Sequence, residues 1–428
     1  MILKYLYLLF TLLYFVSAVK ITYEGYKLYK IIPKDESAVK LLEDARNLGE
    51  FWDDGFAIDQ EAKIMVAPEK VDDFLQFVNS NAFETKELIS NIQKAIDDQM
   101  KPALSRFSQP YLSYSWTQYH NLQQMYAWFD ELERNHPRVV TTVTMGTTYL
   151  ENEIKGIVIN YNPGKVNPLI GVLEGALHAR EWISPATITW IIKEFLTSTD
   201  PEVRALAENI EWHIFPVVNP DGYRYTFSDN RMWRKNRNPA SFTTCGADVD
   251  NDMTVGASND PCSNLYAGTG PFSERESQAI RDYVLGLNSR GKIMYYIAFH
   301  SFTQLIIVPY SHVTSVEDRE SLPDNFEDLT RYGTNYRVGL SHNVMYAMSG
   351  TSFDWAKNAA NVSIAYLIEL RDLGNFGFLL PANQIIPTAL ETMDGLLEMD
   401  RALKHVKINI KIQNMEIKIK LNLLYYLH

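Results

Sequence analysis

Cysteine is scarce: Cys245 and Cys262 are the two in 428 residues. One cross-link cannot staple a chain of this size, and a chain this long buries enough core not to need stapling. The pair stands 17 residues apart. In an oxidising compartment that is most simply one disulfide, contributing roughly 3 kcal/mol by loop entropy; two free thiols are the other reading. Long apolar runs are missing after the N-terminus, so no later segment can span a bilayer. Positive charge is in deficit, with 40 Lys and Arg against 52 Asp and Glu and a formal net charge of -12. That balance argues against nucleic acid or an anionic membrane as a partner. A content of 46% hydrophobic and 21% charged residues excludes disorder as the main theme. No internal repeat or low-complexity block occurs.

What is present divides into four stretches. Residues 1–18 run from Met1-Ile2-Leu3-Lys4 through an apolar segment, Tyr5 to Val16, to Ser17-Ala18. The segment is short for a span of about 20 residues. Val16 and Ala18 suit a cut after Ala18, so it reads as a signal peptide rather than a membrane anchor. The mature protein is expected to be secreted, and the sequon Asn361-Val362-Ser363 is a weak sign of a glycan. Residues 19–106 read as a small α+β unit. Strands are expected at Tyr26–Ile31 and Ala62–Ala67, and helices at Ser37–Leu48 and Val71–Val78. Leu88, Ile89, Ile92 and Ile96 share a helical spacing, which makes Thr85–Met100 a helical connector. It leads to Lys101-Pro102-Ala103-Leu104-Ser105-Arg106, a basic stretch suited to proteolytic cutting.

Residues 107–404 have a larger α/β texture. A helix is expected over Trp116–Asn135, with strands at Val139–Met145, Ile154–Tyr161, Leu169–Glu174 and Ile293–Phe299. Buried strands alternating with helices imply a mostly parallel sheet, with its site at strand carboxyl ends. Residues 405–428 alternate apolar residues with Lys, as an edge strand or an appended tail would.

One cluster carries chemistry. His178 and Glu181 stand three apart just past the Leu169–Glu174 strand, so a turn can aim both at one point. Imidazole and carboxylate suit zinc, and a catalytic zinc needs a third protein ligand. His300, at the end of the Ile293–Phe299 strand, is the best candidate. A His-x-x-Glu pair is by itself a weak signal, and Glu369 by itself reads as an ion-pair partner of Arg371.

A longer pattern is specific. His178-Ala179-Arg180-Glu181-Trp182-Ile183-Ser184-Pro185-Ala186 resembles the signature of the pancreatic-type (A/B) zinc metallocarboxypeptidases. So do Asn219-Pro220-Asp221-Gly222-Tyr223, Arg231-Met232-Trp233-Arg234-Lys235-Asn236-Arg237 and His300-Ser301. Ser349-Gly350-Thr351-Ser352-Phe353-Asp354-Trp355 and Ile368-Glu369-Leu370-Arg371-Asp372 follow in the family's order, then Gly377-Phe378-Leu379-Leu380-Pro381-Ala382. Residues 19–106 resemble the family's activation propeptide. The resemblance implies a mixed eight-stranded α/β sheet flanked by helices over 107–404, behind a small α+β open-sandwich propeptide. It also implies one Zn2+ per chain and a secreted zymogen, extracellular, with a digestive lumen as one setting. The expected partners are peptide or protein C-termini and an activating protease cutting near Lys101 or Arg106.

By position the resemblance assigns His178, Glu181 and His300 to zinc. Glu369 becomes the general base, which takes a proton from the attacking water and passes it to the leaving amine. Arg234 polarises the scissile carbonyl and holds the oxyanion. Arg180 contacts the peptide upstream of the cut, with Ser301 as a further substrate contact. Tyr346 caps the terminal residue, and Phe378 forms a wall of the cleft. Phe353 is the floor of the terminal-residue pocket, lined also by Ala298, Met348 and Leu367. An apolar floor argues against basic termini, which would need a carboxylate partner. The expected preference is A-like, toward aliphatic side chains.

The chain departs from the family at one place. The family anchors the substrate's terminal carboxylate with an Asn-Arg pair shortly after the first cysteine. Here Asp248-Val249-Asp250-Asn251-Asp252-Met253 puts Asp250 and Asn251 at those positions, and no Lys or Arg occurs between Arg237 and Arg275. A carboxylate about 4 Å from Asp250 would be repelled by roughly 4 kcal/mol at an effective dielectric of about 20, about a thousandfold in affinity. Three expectations follow. One is an exopeptidase with an atypical anchor. Another is a hydrolase for altered C-termini that carry a cationic group near Asp250. The third is a catalytically impaired zinc-binding homologue that acts as a peptide-binding protein.

Overall fold

The computed structural model describes residues 20–53, 55–103, 110–239, 258, 260, 263–312 and 331–404. The leader over 1–18, Arg106, Cys245, Cys262, Asp250, Asn251 and the tail over 405–428 lie outside the described residues.

The N-terminal unit is an antiparallel sheet of β1 (Lys27–Ile32), β2 (Glu50–Phe51), β3 (Ala62–Val66) and β4 (Glu84–Ile89), in the order β2-β3-β1-β4. Its helices are α1 (Glu36–Asp44), α2 (Val71–Ser80) and α3 (Ile92–Gln99). Asp35 caps α1 by accepting from the Ala38 amide at 2.8 Å, and Asn91 caps α3 through the Lys94 amide at 3.1 Å. Strand alternation decides what each face touches. Tyr29, Ile31, Ile64 and Val66 join Leu42 of α1 and Phe74 and Val78 of α2 in one core. Leu28 and Met65 point the other way. They pack with Ile92 and Ile96 of α3 and with Met232, Phe302, Phe378 and Leu379 of the larger unit. The small sheet is thus covered twice, by its own helices and by the rest of the chain.

The expected helical connector over Thr85–Met100 is instead two elements, β4 and then α3. β4 is an edge strand with little burial, so Glu84-Thr85-Lys86-Glu87 shows no apolar alternation. Its only large apolar residues, Leu88 and Ile89, happen to fall in phase with the helix that follows.

The larger unit is an eight-stranded sheet. Its strands are β5 (Val140–Thr147), β6 (Glu153–Ile159), β7 (Leu169–Gly175), β8 (Glu211–Phe215), β9 (Lys292–Ser301), β10 (Leu305–Val308), β11 (Arg337–Leu340) and β12 (Ile364–Leu370). The order is β11-β10-β12-β9-β7-β8-β6-β5. The centre, β12-β9-β7-β8, is parallel. β10 pairs antiparallel with β12, and β6 antiparallel with β5 and β8. The sheet is therefore mixed rather than mostly parallel. One face packs on α4 (Leu122–Asn135), α5 (Ile183–Thr197), α6 (Pro201–Asn209) and the helical residues 385–404. After α7 (Pro220–Ser228), α8 (Arg275–Asn288) covers the other face, with the short α9 (Ser341–Val344) and α10 (Ser352–Asn358).

α4 begins at Leu122, not Trp116. Asn121 and Gln124 form a reciprocal capping box there. Trp116 is held instead by edge-on contacts with Trp128 and Trp190. Among the described residues, no helix is long and apolar enough to cross a membrane.

Candidate metal centre and active site

The parallel strands β7, β9 and β12 end at one place, and His178, His300 and Glu369 sit at or just beyond those ends. After β7 the chain turns sharply. The Ala176 amide donates to Ser184 Oγ at 2.9 Å, and Asn219 Nδ2 holds the Leu177 carbonyl at 3.1 Å. The same Asn219 caps α7 through the Gly222 amide at 2.9 Å, with Pro220 at the first helical turn. The Asn-Pro-Asp-Gly block thus fixes the turn that carries His178. Asp221 ties it to the rim, accepting from the Leu150 amide at 2.9 Å and from Asn152 Nδ2 at 2.6 Å.

Three donor groups converge. His178 Nδ1 lies 2.7 Å from Glu181 Oε1, His300 Nδ1 lies 3.2 Å from Glu181 Oε2, and the two Nδ1 atoms are 3.1 Å apart. All three residues are buried. Burial pushes the Glu181 carboxyl up, but the His178 and His300 imidazoles outweigh it and hold it well below the usual carboxylate range. Burial by itself would depress His300, and the Glu181 carboxylate reverses this and raises it.

Zinc fits this set. Bonds of about 2.1 Å in tetrahedral geometry put donor atoms about 3.4 Å apart, slightly wider than the 2.7–3.2 Å spacings found. Two imidazoles and one carboxylate leave a fourth position, as a catalytic site requires.

His178, Glu181, Arg234, Ser301, Tyr346, Glu369 and Phe378 line one cavity. Arg234 Nη1 lies 3.8 Å from Glu181 Oε1, and its carbonyl accepts from the Ala179 amide at 2.8 Å. The Ser301 amide donates to Glu181 Oε2 at 3.2 Å. Arg371 does not need Glu369 as a partner, because Glu391, Gln384 and Thr334 take its guanidinium. Arg180 is 0% exposed, with its guanidinium 4.2 Å from the Phe378 ring centroid and Nη1 2.7 Å from Glu50 Oε1. Its Nε and Nη2 have no hydrogen-bond partner among the described residues. Phe353 is 0% exposed and packs in one cluster with Ala298, Leu367 and the half-buried Met348. Asp250 and Asn251 lie outside the described residues, as do both cysteines.

The N-terminal unit reaches into the cavity. Trp52 packs on Phe302 and Phe378 with ring centroids 6.3 and 5.3 Å away. A Cβ on Gly55 would meet the Tyr346 ring at 2.7 Å, so only glycine lets the backbone pass there. Two residues of this region went unnoticed in the sequence. Glu50 follows no motif. Arg337 lines the cavity from β11, and only the strand order brings it there.

Fold and site together define a zinc-dependent hydrolase with its metal at the carboxyl ends of a mixed sheet. The zinc carboxypeptidase family profile matches residues 125–395, and that of the carboxypeptidase activation peptide matches residues 29–99. The chain belongs to the zinc carboxypeptidase family. It is 37% identical over 404 residues to zinc carboxypeptidase A 1 of Anopheles gambiae, covering 88% of this chain and 89% of that one. It is 40% identical over 294 residues to carboxypeptidase B of Astacus astacus, covering 66% and 95%. The solved carboxypeptidase A from Helicoverpa armigera aligns with a TM-score of 0.76 at 27% identity, over 89% of this chain and 98% of that one. The protein is thus a zinc metallopeptidase that acts on peptide C-termini and carries an activation peptide.

Proposed function

We propose that the chain is a secreted zymogen whose mature enzyme removes apolar, chiefly aliphatic, C-terminal residues. The observation that supports the preference is Phe353, fully buried in one apolar cluster with Ala298 and Leu367, since a phenyl ring at that position offers a basic terminal side chain no charged partner. His178, Glu181 and His300 would hold zinc, which when bound acidifies water and polarises a carbonyl. Glu369 takes the proton of the attacking water and returns it to the leaving amine. Arg234 stands beside the ligands as a fixed cation for the developing oxyanion. Arg180 and Phe378 receive the upstream peptide, Ser301 contributes a further contact, and Tyr346 closes over the terminal residue.

In this reading residues 1–18 direct export, 19–106 form the propeptide and 107–404 the enzyme, with cutting near Lys101 or Arg106. Cys245 and Cys262 form a disulfide that brackets the loop of the atypical anchor. The second reading, a peptide-binding homologue with impaired turnover, rests on Asp250 and Asn251 standing where the family has its anchor. The experiment is terminal-residue release by trypsin-treated protein from peptides ending in aliphatic, aromatic or basic residues. Release of aliphatic residues supports the first reading. Tight peptide binding without release supports the second.

A further inference from the structure

In β11, β10, β12 and β9, residues Arg337, Leu305, Glu369 and His300 are paired in one row across four strands. Residues in one row share a face. Leu305 packs on the same side as Ala298 and Leu367, the strand neighbours of His300 and Glu369 at the period of two. Arg337 therefore stands on the active-site face, two strands or about 10 Å from Glu369 along the row. It lines the same cavity. Its Nη2 donates to the Val344 carbonyl at 3.0 Å, two residues before Tyr346. That bond fixes the guanidinium at the base of the Tyr346 segment, and its other N–H groups have no hydrogen-bond partner among the described residues. Arg337 is exposed and makes no ion pair among the described residues.

Charge in the cavity sharpens the point. Its described cations are Lys63, Arg234 and Arg337. Lys63 belongs to the N-terminal unit, and Arg234 lies against Glu181. The stretch between Arg237 and Arg275 supplies none. Across the cavity the N-terminal unit presents Asp59 and Glu61, so the zymogen already places carboxylates in the space that Arg337 faces.

We propose that Arg337 is a carboxylate-binding residue of the cleft, one that determines which peptides the enzyme holds. It rests on the reading of this cleft as a peptide site. The carboxylate comes either from the peptide's C-terminus or from an acidic side chain upstream of it. An arginine suits both, through charge-assisted hydrogen bonds.

The test is binding of labelled pentapeptides, read by fluorescence anisotropy, to zinc-loaded protein prepared as the full chain and then treated with trypsin. Wild-type Arg337, Arg337→Gln and Arg337→Lys are compared in a Glu369→Gln background that halts turnover. One peptide pair differs as free C-terminal acid or amide, the other as Glu or Gln at the penultimate position. The acidic member of at least one pair should bind about tenfold tighter, that ratio should vanish in Arg337→Gln, and Arg337→Lys should keep part of it. Loss of the acid-to-amide ratio assigns the terminal carboxylate, and loss of the Glu-to-Gln ratio assigns a side chain. If both ratios are equal in Arg337 and Arg337→Gln proteins of matching zinc content and melting temperature, the proposal is wrong. Because the readout is binding, a protein that binds but never hydrolyses would overturn the peptidase reading and leave this one standing.

Discussion

At the scale of single residues, the metal site makes the sharpest demand. His178 and His300 present ring nitrogens 3.1 Å apart with one carboxylate bridging them. Removing one imidazole removes a third of the protein donors. His300→Ala should therefore lose nearly all bound zinc, by metal analysis after gel filtration, and unchanged zinc content would show that another residue completes the site. A second residue-scale prediction lies away from the metal. Glu276 is 0% exposed, and burial raises its carboxyl to about 7, outweighing the opposing hydrogen bond from the Asn236 amide at 3.0 Å. The unfolded chain ionises this group near 4.5 and the folded chain only near 7. Stability present below the lower value is lost as pH rises through the upper one. Glu276→Gln, which stays neutral throughout, should gain up to about 3 kcal/mol over wild type between those limits. Denaturant melts at pH 4 and pH 8 read the difference. Parallel pH profiles for the two proteins would contradict the burial argument.

At the scale of elements, β2 is two residues long, yet it presses the N-terminal unit onto the cleft. Glu50 accepts from Arg180 Nη1 at 2.7 Å and from Asn264 Nδ2 at 2.8 Å. Glu50→Gln removes the charge from that clamp while keeping its shape. The N-terminal unit should then leave trypsin-cut protein about tenfold more readily, seen as earlier separation of the two fragments on gel filtration. Equal retention would mean that Trp52 and its apolar neighbours hold the unit by themselves. Elements also show what the sequence could tell. The short blocks lie at strand ends, where local pattern and strand boundary coincide, so the convergence of His178, Glu181 and His300, with Glu369 lining the same cavity, was readable without coordinates. β4 was not, because its exposed edge carries no apolar alternation. Arg337 was not, because β11 reaches the site only by lying beside β10, a pairing between residues 32 positions apart (Leu305 and Arg337) that no local pattern encodes.

At the scale of the whole molecule, the acidic balance of the chain meets the chemistry of its ligand. A peptide's free C-terminus is an anion, and the resemblance proposed from the sequence assigns Asp250 to the position of an anchoring amide and Asn251 to that of the arginine. Restoring both together, Asp250→Asn with Asn251→Arg, should lower KM for free-acid peptides by about tenfold or more and leave kcat nearly unchanged. Unchanged kinetics would show that the anchor lies elsewhere in the cleft. The central claim, that this chain is a working exopeptidase for apolar C-termini, is tested most directly by end-product analysis. Trypsin-treated, zinc-loaded protein is incubated with peptides ending in Leu, Phe or Lys, with and without a chelator. The account predicts release of the terminal Leu first, weaker release of Phe, none of Lys, and loss of all release when zinc is removed. Stoichiometric zinc with no terminal residue released, or with Lys released fastest, would contradict it.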